Sequence, residues 1–322
     1  MVLDAFIADW HNDSPTVLVH TSGSTGRPKP MLVEKWRMEA SARTTCRFLG
    51  LHAGDTALLC MPLDYIAGKM MVVRALTCGL KLVSVEPTGL PRWDGLVDFA
   101  AMVPLQVWNL LHDEQGRQRL RQVRNLIIGG GAIDEALAQQ LQDFPHAVWS
   151  TYGMTETLSH IALRRLSGPG RSDWYTPFDG VAVSVNADGC LVIDAPAVHD
   201  GPLVTNDIAR LEGRRFRILG RKDNVICSGG VKIQIEEVEQ RLRPHMRVPF
   251  IITKAPEPKF GEQVVLLTES VDVDAIRKIC LSVLPKYWQP RRCLTVARLP
   301  FTETGKPARR KAELLAAASI AQ

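Results

Sequence analysis

Thr16-Val-Leu-Val-His20 runs directly into Thr21-Ser-Gly-Ser-Thr-Gly-Arg-Pro-Lys29. The first five residues have the length and β-branched content of a strand, and the next nine gather hydroxyls, Gly23, Gly26, Arg27 and Lys29 into one loop. Such a loop can wrap an oxyanion: glycines let backbone N–H groups turn inward, hydroxyls add donors and Lys29 adds charge. The Walker pattern is not met, because Arg27-Pro28 intervene and Pro30 follows the lysine, which argues against a P-loop kinase or ATPase. Taken alone, the run also reads as a flexible surface turn.

Working outward, short apolar runs at Thr56–Cys60, Leu80–Val85, Asn125–Ile128 and Ala147–Trp149 read as further strands. Helical spacing over Glu34–Phe48, Ile66–Cys78 and Asp134–Leu141 alternates with them, with Asp134 a cap and Gly79 a terminator. This rhythm predicts an α/β fold with sheet-covering helices. From Phe178 to Leu219 the strands become short and closely spaced, with turn signals at Asp179-Gly180, Asp188-Gly189 and Glu212-Gly213, which predicts a small antiparallel region. A boundary is expected at Gly220-Arg221-Lys222-Asp223. Beyond it a helix at Glu236–Leu242, strands near Phe250 and Val264, a helix at Val273–Val283 and a basic, Ala-rich tail read as a small α+β domain. The expected division is therefore residues 1–220 and 221–322.

The 322 residues are 46% hydrophobic, enough for two domains each to bury a core. With 39 basic against 34 acidic residues the net charge of +5 is mild and dispersed, which argues against a nucleic-acid surface and favours small anions. The longest uncharged apolar run found, Phe99–Leu111, contains Pro104 and is shorter than the roughly 18 residues a membrane-spanning helix needs, so no membrane insertion is expected. The start lacks the basic and apolar segments of a secretory signal, and the seven scattered cysteines form no C-x-x-C pair; reduced thiols in a cytoplasm are the expectation.

Other segments carry their own chemistry. In Tyr152-Gly-Met-Thr-Glu156 an aromatic face can stack on a purine, Gly153 allows close approach, Thr155 can donate to a phosphate oxygen and Glu156 offers a hard carboxylate for Mg²⁺; the plain alternative is a loop with a solvated Glu. Gly129-Gly130-Gly131 follows a strand's carboxyl end, where α/β sheets bind ligands, or is a simple strand-to-helix turn. Asp207, in Thr205-Asn-Asp207, can accept from both hydroxyls of a ribose that Arg221 also reaches, or the two form a surface ion pair. Lys306, in Thr304-Gly-Lys306, lies on a loop ahead of a terminal helix that starts near Pro307; a solvated lysine is the default reading.

In this order, Thr21–Lys29, Ser150–Thr157, Thr205–Asp207, Gly220–Asp223 and Thr304–Lys306 resemble the ordered motifs of the adenylate-forming superfamily of acyl- and aryl-CoA synthetases. Asn206 stands where the family usually has Gly. The resemblance implies a nucleotide site formed by Thr21, Ser22, Gly23, Ser24, Thr25, Gly26, Gly130, Gly131, Tyr152, Gly153, Asp207 and Arg221, with Glu156 on Mg²⁺ and Lys29 and Thr155 serving the phosphates. It implies that Lys306 enters the site during adenylation, that Ser228-Gly-Gly-Val-Lys232 (Ser228, Gly229, Gly230, Lys232) serves the coenzyme A step, and that the small domain rotates about Asp223 between the two. ATP, Mg²⁺ and coenzyme A are the implied cofactors and co-substrates, and a carboxylic acid the implied small-molecule partner.

Met61-Pro-Leu-Asp-Tyr65 and the run to Gly79 are similar to the o-succinylbenzoate-activating branch of that family, in menaquinone synthesis. This implies that Tyr65 stands between acid and thiol tunnels, that Gly129 borders the acid, and that Arg74 receives a second substrate carboxylate. On its own, Arg74 also reads as an exposed helical cation or a partner for Asp64. Another aryl or medium-chain acid, a carrier-protein adenylation module and a non-catalytic nucleotide-binding remnant are the rival readings. Twenty residues precede Thr21, where most relatives carry a whole sublobe, which bears on the far wall of the acid pocket and the sheet edge. Homo-oligomer formation is compatible with the sequence and not fixed by it.

Overall fold

The computed structural model describes residues 2–20, 30–131, 133, 135–301 and 307–320. Thr21–Lys29, Asp134 and Lys306 therefore lie outside the described residues. The chain forms two compact units, one made of residues 1–184, 192–203 and 211–217, the other of 185–191, 204–210 and 218–322.

The first unit opens with helix α1 (Leu3–His11) and an antiparallel ribbon of β1 (Thr16–His20) and β2 (Pro30–Glu34), in register from Thr16 opposite Glu34 to His20 opposite Pro30. Helix α2 (Lys35–Leu49) follows, then β3 (Thr56–Leu59), α3 (Ile66–Cys78), β4 (Lys81–Ser84), β5 (Phe99–Met102), α4 (Pro104–His112), α5 (Glu114–Gln122), β6 (Asn125–Ile128), α6 (Glu135–Leu141), β7 (Ala147–Gly153), β8 (His160–Arg165) and β9 (Thr176–Pro177). Strands β3 to β9 make one sheet in the order β4-β3-β5-β6-β7-β8-β9. It is parallel from β4 to β7 and antiparallel from β7 to β9. Strands β5 and β6 are buried at every residue, as expected of parallel strands covered on both faces. Leu58, Ala100, Met102, Leu126, Ile128 and Val148 form one core with α4, α5 and α6.

The uncharged run from Phe99 is thus broken into a strand and a helix whose first residue is Pro104, where the missing N–H costs nothing. Among the described residues no helix is long and apolar enough to cross a membrane. Helix α3 ends at Gly79 (φ 69°) as expected, and α2, expected over Glu34–Phe48, runs from Lys35 to Leu49 and is closed by Gly50 (φ 62°). All seven cysteines are free.

A four-stranded sheet follows in chain order: β10 (Ala182–Val185), β11 (Cys190–Asp194), β12 (Leu203–Glu212) and β13 (Arg215–Arg221). The rest of the second unit contains β14 (Val225–Ser228), β15 (Val231–Gln234), α7 (Ile235–Leu242), β16 (Phe250–Glu257), β17 (Gly261–Thr268), α8 (Val273–Val283), β18 (Arg292–Thr295) and α9 (Arg309–Ile320). Its sheet runs β15-β14-β17-β16, with β18 parallel to β17. One apolar cluster joins it to α7 and α8, and a second, on Ile251, Val265 and Leu267, to Ala312 and Ala316 of α9. Arg309 and Glu239 fasten α9 to α7 by a bidentate pair at 2.6 and 2.7 Å, and the same carboxylate accepts the Ile252 N–H at 3.0 Å. The fold is α/β with mixed sheets, joined to a smaller α+β unit.

Candidate active site

Helix α3 carries Arg74, one of the residues expected to face the acid. It is buried almost continuously from Gly68 to Ala75, so it is a core helix rather than an amphipathic cover. A Cβ at Gly68 would lie 2.3 Å from the Pro62 carbonyl oxygen, so only glycine lets the Met61–Tyr65 segment sit this close. Tyr65 caps the helix start and is 39% exposed.

Arg74 is 2% exposed, which rules out the solvated-cation reading. Its Nη2 donates to Ser159 Oγ at 2.7 Å and its Nη1 to Met71 Sδ at 3.8 Å, while Nε is buried without a partner. No carboxylate pairs with it among the described residues, so the Asp64 partnership is not formed either. Burial pulls its pKa down to about 10, against the opposing effect of the nearby Cys46 and Cys78 thiols, which leaves it charged at neutral pH. A buried guanidinium held by one hydroxyl and a thioether is under-satisfied, and an anion is the group that satisfies it.

The hydroxyl partner of Arg74, Ser159, comes from the segment just after the aromatic motif, which the sequence reading did not single out. Ser159 Oγ also contacts His160 Nδ1 at 3.1 Å, and His160 Nε2 meets Thr45 Oγ1 at 3.1 Å. Burial, reinforced by the Arg74 charge, holds the His160 imidazolium form well below its ordinary pKa of 6.5. The folded protein therefore resists a proton that the unfolded chain accepts. Stability is expected to be full above about pH 6.5 and to fall with acidification by up to about 1.4 kcal/mol per pH unit from this group. Denaturant midpoints measured from pH 7 to 5 should show that slope, and His160→Gln should flatten it.

Tyr152, next to last in β7, is half-buried, its ring T-shaped against Phe216 at 5.0 Å and tilted against Tyr175 at 5.7 Å. A Cβ on Gly153 would come within 2.2 Å of the Ser159 carbonyl oxygen, where β7 and β8 shift register. The turn that follows puts Thr155 and an exposed Glu156 on a short 3-10 helix and Leu158, buried, at φ 64°. Leu158 is the one non-glycine residue at positive φ among those described, strain that marks this turn as over-determined by its surroundings. Glu156 has no ion-pair partner among the described residues; a free, exposed carboxylate beside a Thr hydroxyl suits Mg²⁺, which takes one or two carboxylates plus phosphate oxygens. Gly129, Gly130 and Gly131 leave the end of β6; Gly129 donates to the Met102 carbonyl at 3.0 Å and Gly130 takes φ 74°.

The second unit holds the other residues. The Thr205 hydroxyl accepts the Asp207 N–H at 3.1 Å and donates to the Leu191 carbonyl at 2.8 Å, which fixes the backbone beneath Asp207. Arg221 bridges Asp207 at 3.2 Å and Asp223 at 2.9 Å. The ion pair foreseen as the plain alternative is thus real, and it orients the Asp207 carboxylate. Asp223 also accepts from Asn206 Nδ2 at 3.3 Å, so the residue that replaces the family's glycine is a donor to the expected hinge. Ser228, Gly229, Gly230 and Lys232 lie on the β14–β15 hairpin, whose two-residue turn is made by Gly229 (φ 58°) and Gly230 (φ 83°). Nothing lies within 4 Å of a Cβ at Gly230.

Comparisons with known proteins bear on the family and the fold. The family model described as "AMP-binding enzyme" matches residues 5–196. The 2-succinylbenzoate–CoA ligase of Bacillus mycoides is 25% identical over 350 residues, covering 96% of this chain and 72% of that protein. A crystal structure of an AMP-forming acyl-CoA synthetase/AMP-acid ligase II-like protein from Dyadobacter fermentans superposes with a TM-score of 0.66 at 34% identity, covering 95% of this chain and 91% of its own. The o-succinylbenzoate coenzyme A synthetase of Bacillus subtilis, solved with ATP and a magnesium ion, shares the fold with a TM-score of 0.74 at 22% identity, over 91% of this chain and 69% of that one. Since the family model spans more than half of its residues, the chain belongs to the AMP-binding enzymes.

Proposed function

We propose that this AMP-forming acid–CoA ligase activates 2-succinylbenzoate (o-succinylbenzoate), as in menaquinone synthesis. Arg74 carries the reading: a fully buried guanidinium with an unpartnered Nε and no carboxylate of its own calls for an acid with a second carboxylate. The names of relatives such as the Bacillus mycoides ligase support it.

In the first half-reaction one carboxylate oxygen of the acid attacks the α-phosphorus of ATP, and pyrophosphate leaves. Thr21–Gly26 and Lys29 hold the phosphates, Thr155 donates to one of their oxygens, Tyr152 and Gly129–Gly131 border the adenine, and Asp207, oriented by Arg221, accepts from the ribose hydroxyls. Mg²⁺ on Glu156 neutralises phosphate charge when bound. Lys306 stabilises the negative charge that builds between carboxylate and α-phosphate. In the second half-reaction the thiol of coenzyme A attacks the acyl carbon and AMP leaves; the narrow Gly229–Gly230 turn leaves space for the pantetheine arm, and the small domain turns about Asp223 in between. Tyr65 stands at the junction of acid and thiol paths.

A panel of carboxylic acids incubated with MgATP and coenzyme A, read by mass for thioesters, tests the proposal. The succinylbenzoyl thioester is expected to form fastest; a thioester from monoacids alone would contradict the dicarboxylate reading.

A further inference from the structure

Helix α3 carries a second buried cation that the reaction scheme does not use. Lys69 is 2% exposed, its Nζ donates to the Leu18 carbonyl at 2.6 Å, and its ammonium lies 5.8 Å from the centre of the Phe6 ring. It forms no ion pair among the described residues. Burial lowers its pKa, with Asp9 and Asp64 opposing from farther away. A desolvated ammonium aimed at one backbone carbonyl is costly, and an apolar side chain would fill the same space for less. The flanking residues, Gly68 and Met70, are as buried as Lys69 itself.

The carbonyl it holds is well placed. Leu18 lies three residues before Thr21, and β2 starts at Pro30 directly after Lys29, paired to β1 at His20. Both ends of the Thr21–Lys29 segment therefore leave from the ribbon that Lys69 grips. Five residues along the same helix, Arg74 grips Ser159, three residues beyond Glu156. One helix, through two buried cations, thus holds the strand that leads into the first phosphate motif and the strand that leaves the second.

We infer that Lys69 is a positioning residue: its hydrogen bond to Leu18 fixes the β1–β2 ribbon, and with it both anchors of the Thr21–Lys29 segment, against helix α3. The inference rests on the reading that this segment holds the triphosphate.

Lys69→Met keeps the volume and removes the donor. The expected result is a rise of about tenfold or more in KM for ATP, the KM for coenzyme A within twofold of the parent, and a melting temperature equal to or above the parent's. Lys69→Arg restores a charged donor and should recover the ATP KM to within about threefold. Lys29→Ala, inside the segment, separates the two readings: if it leaves the ATP KM unchanged, the phosphate-loop reading itself fails. If Lys29→Ala raises that KM while Lys69→Met stays within twofold of the parent, the positioning role is overturned. Equal rises for ATP and coenzyme A in Lys69→Met would also overturn it. Should Lys69→Met not fold, Lys69→Arg carries the test, and a tenfold rise in its ATP KM refutes the role of the donor.

Discussion

Lys306→Ala is expected to lower acyl-adenylate formation by roughly 10²- to 10³-fold, the cost of removing one preorganised donor from a site where negative charge develops. Thioester formation from supplied acyl-adenylate should stay within about threefold of the parent, because the proposed scheme gives Lys306 a part in the first half-reaction alone. On the proposed scheme the asymmetry follows from one cation that serves one of two chemical steps. Measuring pyrophosphate release for the first half and AMP release from synthetic acyl-adenylate for the second separates them. Equal losses in both halves would mean that Lys306 supports the fold or the nucleotide generally.

Arg74→Met should act on the substrate and spare the protein. Hydrogen bonds to a charged group contribute about 1.5–3 kcal/mol, so the KM for 2-succinylbenzoate should rise roughly 10- to 150-fold. A benzoate-like monoacid, which has no second carboxylate to place there, should keep its KM within about twofold. Stability should hold or increase, because the substitution removes a buried charge that no carboxylate compensates in the free protein. It should also raise the pKa of His160, since the Arg74 charge is one of the two effects that depress it. Matching losses for the dicarboxylate and the monoacid would place Arg74 in the core rather than in the acid site.

The two cases show what a sequence carries and what it hides. The α/β rhythm was legible from β-branched runs such as Asn125–Ile128, and the end of α3 from the glycine that follows it. The strand Phe99–Met102 was not, because four consecutive apolar residues carry no period, and the Pro104 that punctuates them serves a helix start. His160–Arg165 was hidden by its two arginines, which lie at the far end of an otherwise buried strand. Motif residues such as Tyr152 and Asp207 were picked out by the resemblance of their segments to the family's ordered motifs. The supports of Arg74 were not: Ser159 meets it directly, and His160 and Thr45 extend that contact through long-range packing, with no local pattern to mark them. Lys69 did leave a signal, a lone charge inside the apolar run Ile66–Val73, and its meaning depends on Leu18, fifty-one residues earlier.

The claim beneath all of this is that the chain makes a mixed anhydride of its acid with AMP before any thiol is involved. Exchange of labelled pyrophosphate into ATP, measured with 2-succinylbenzoate present and coenzyme A absent, tests it most directly. Rapid exchange that requires both the acid and Mg²⁺ is the expected result. No exchange with 2-succinylbenzoate or any other carboxylic acid, from folded protein that binds ATP, would contradict it.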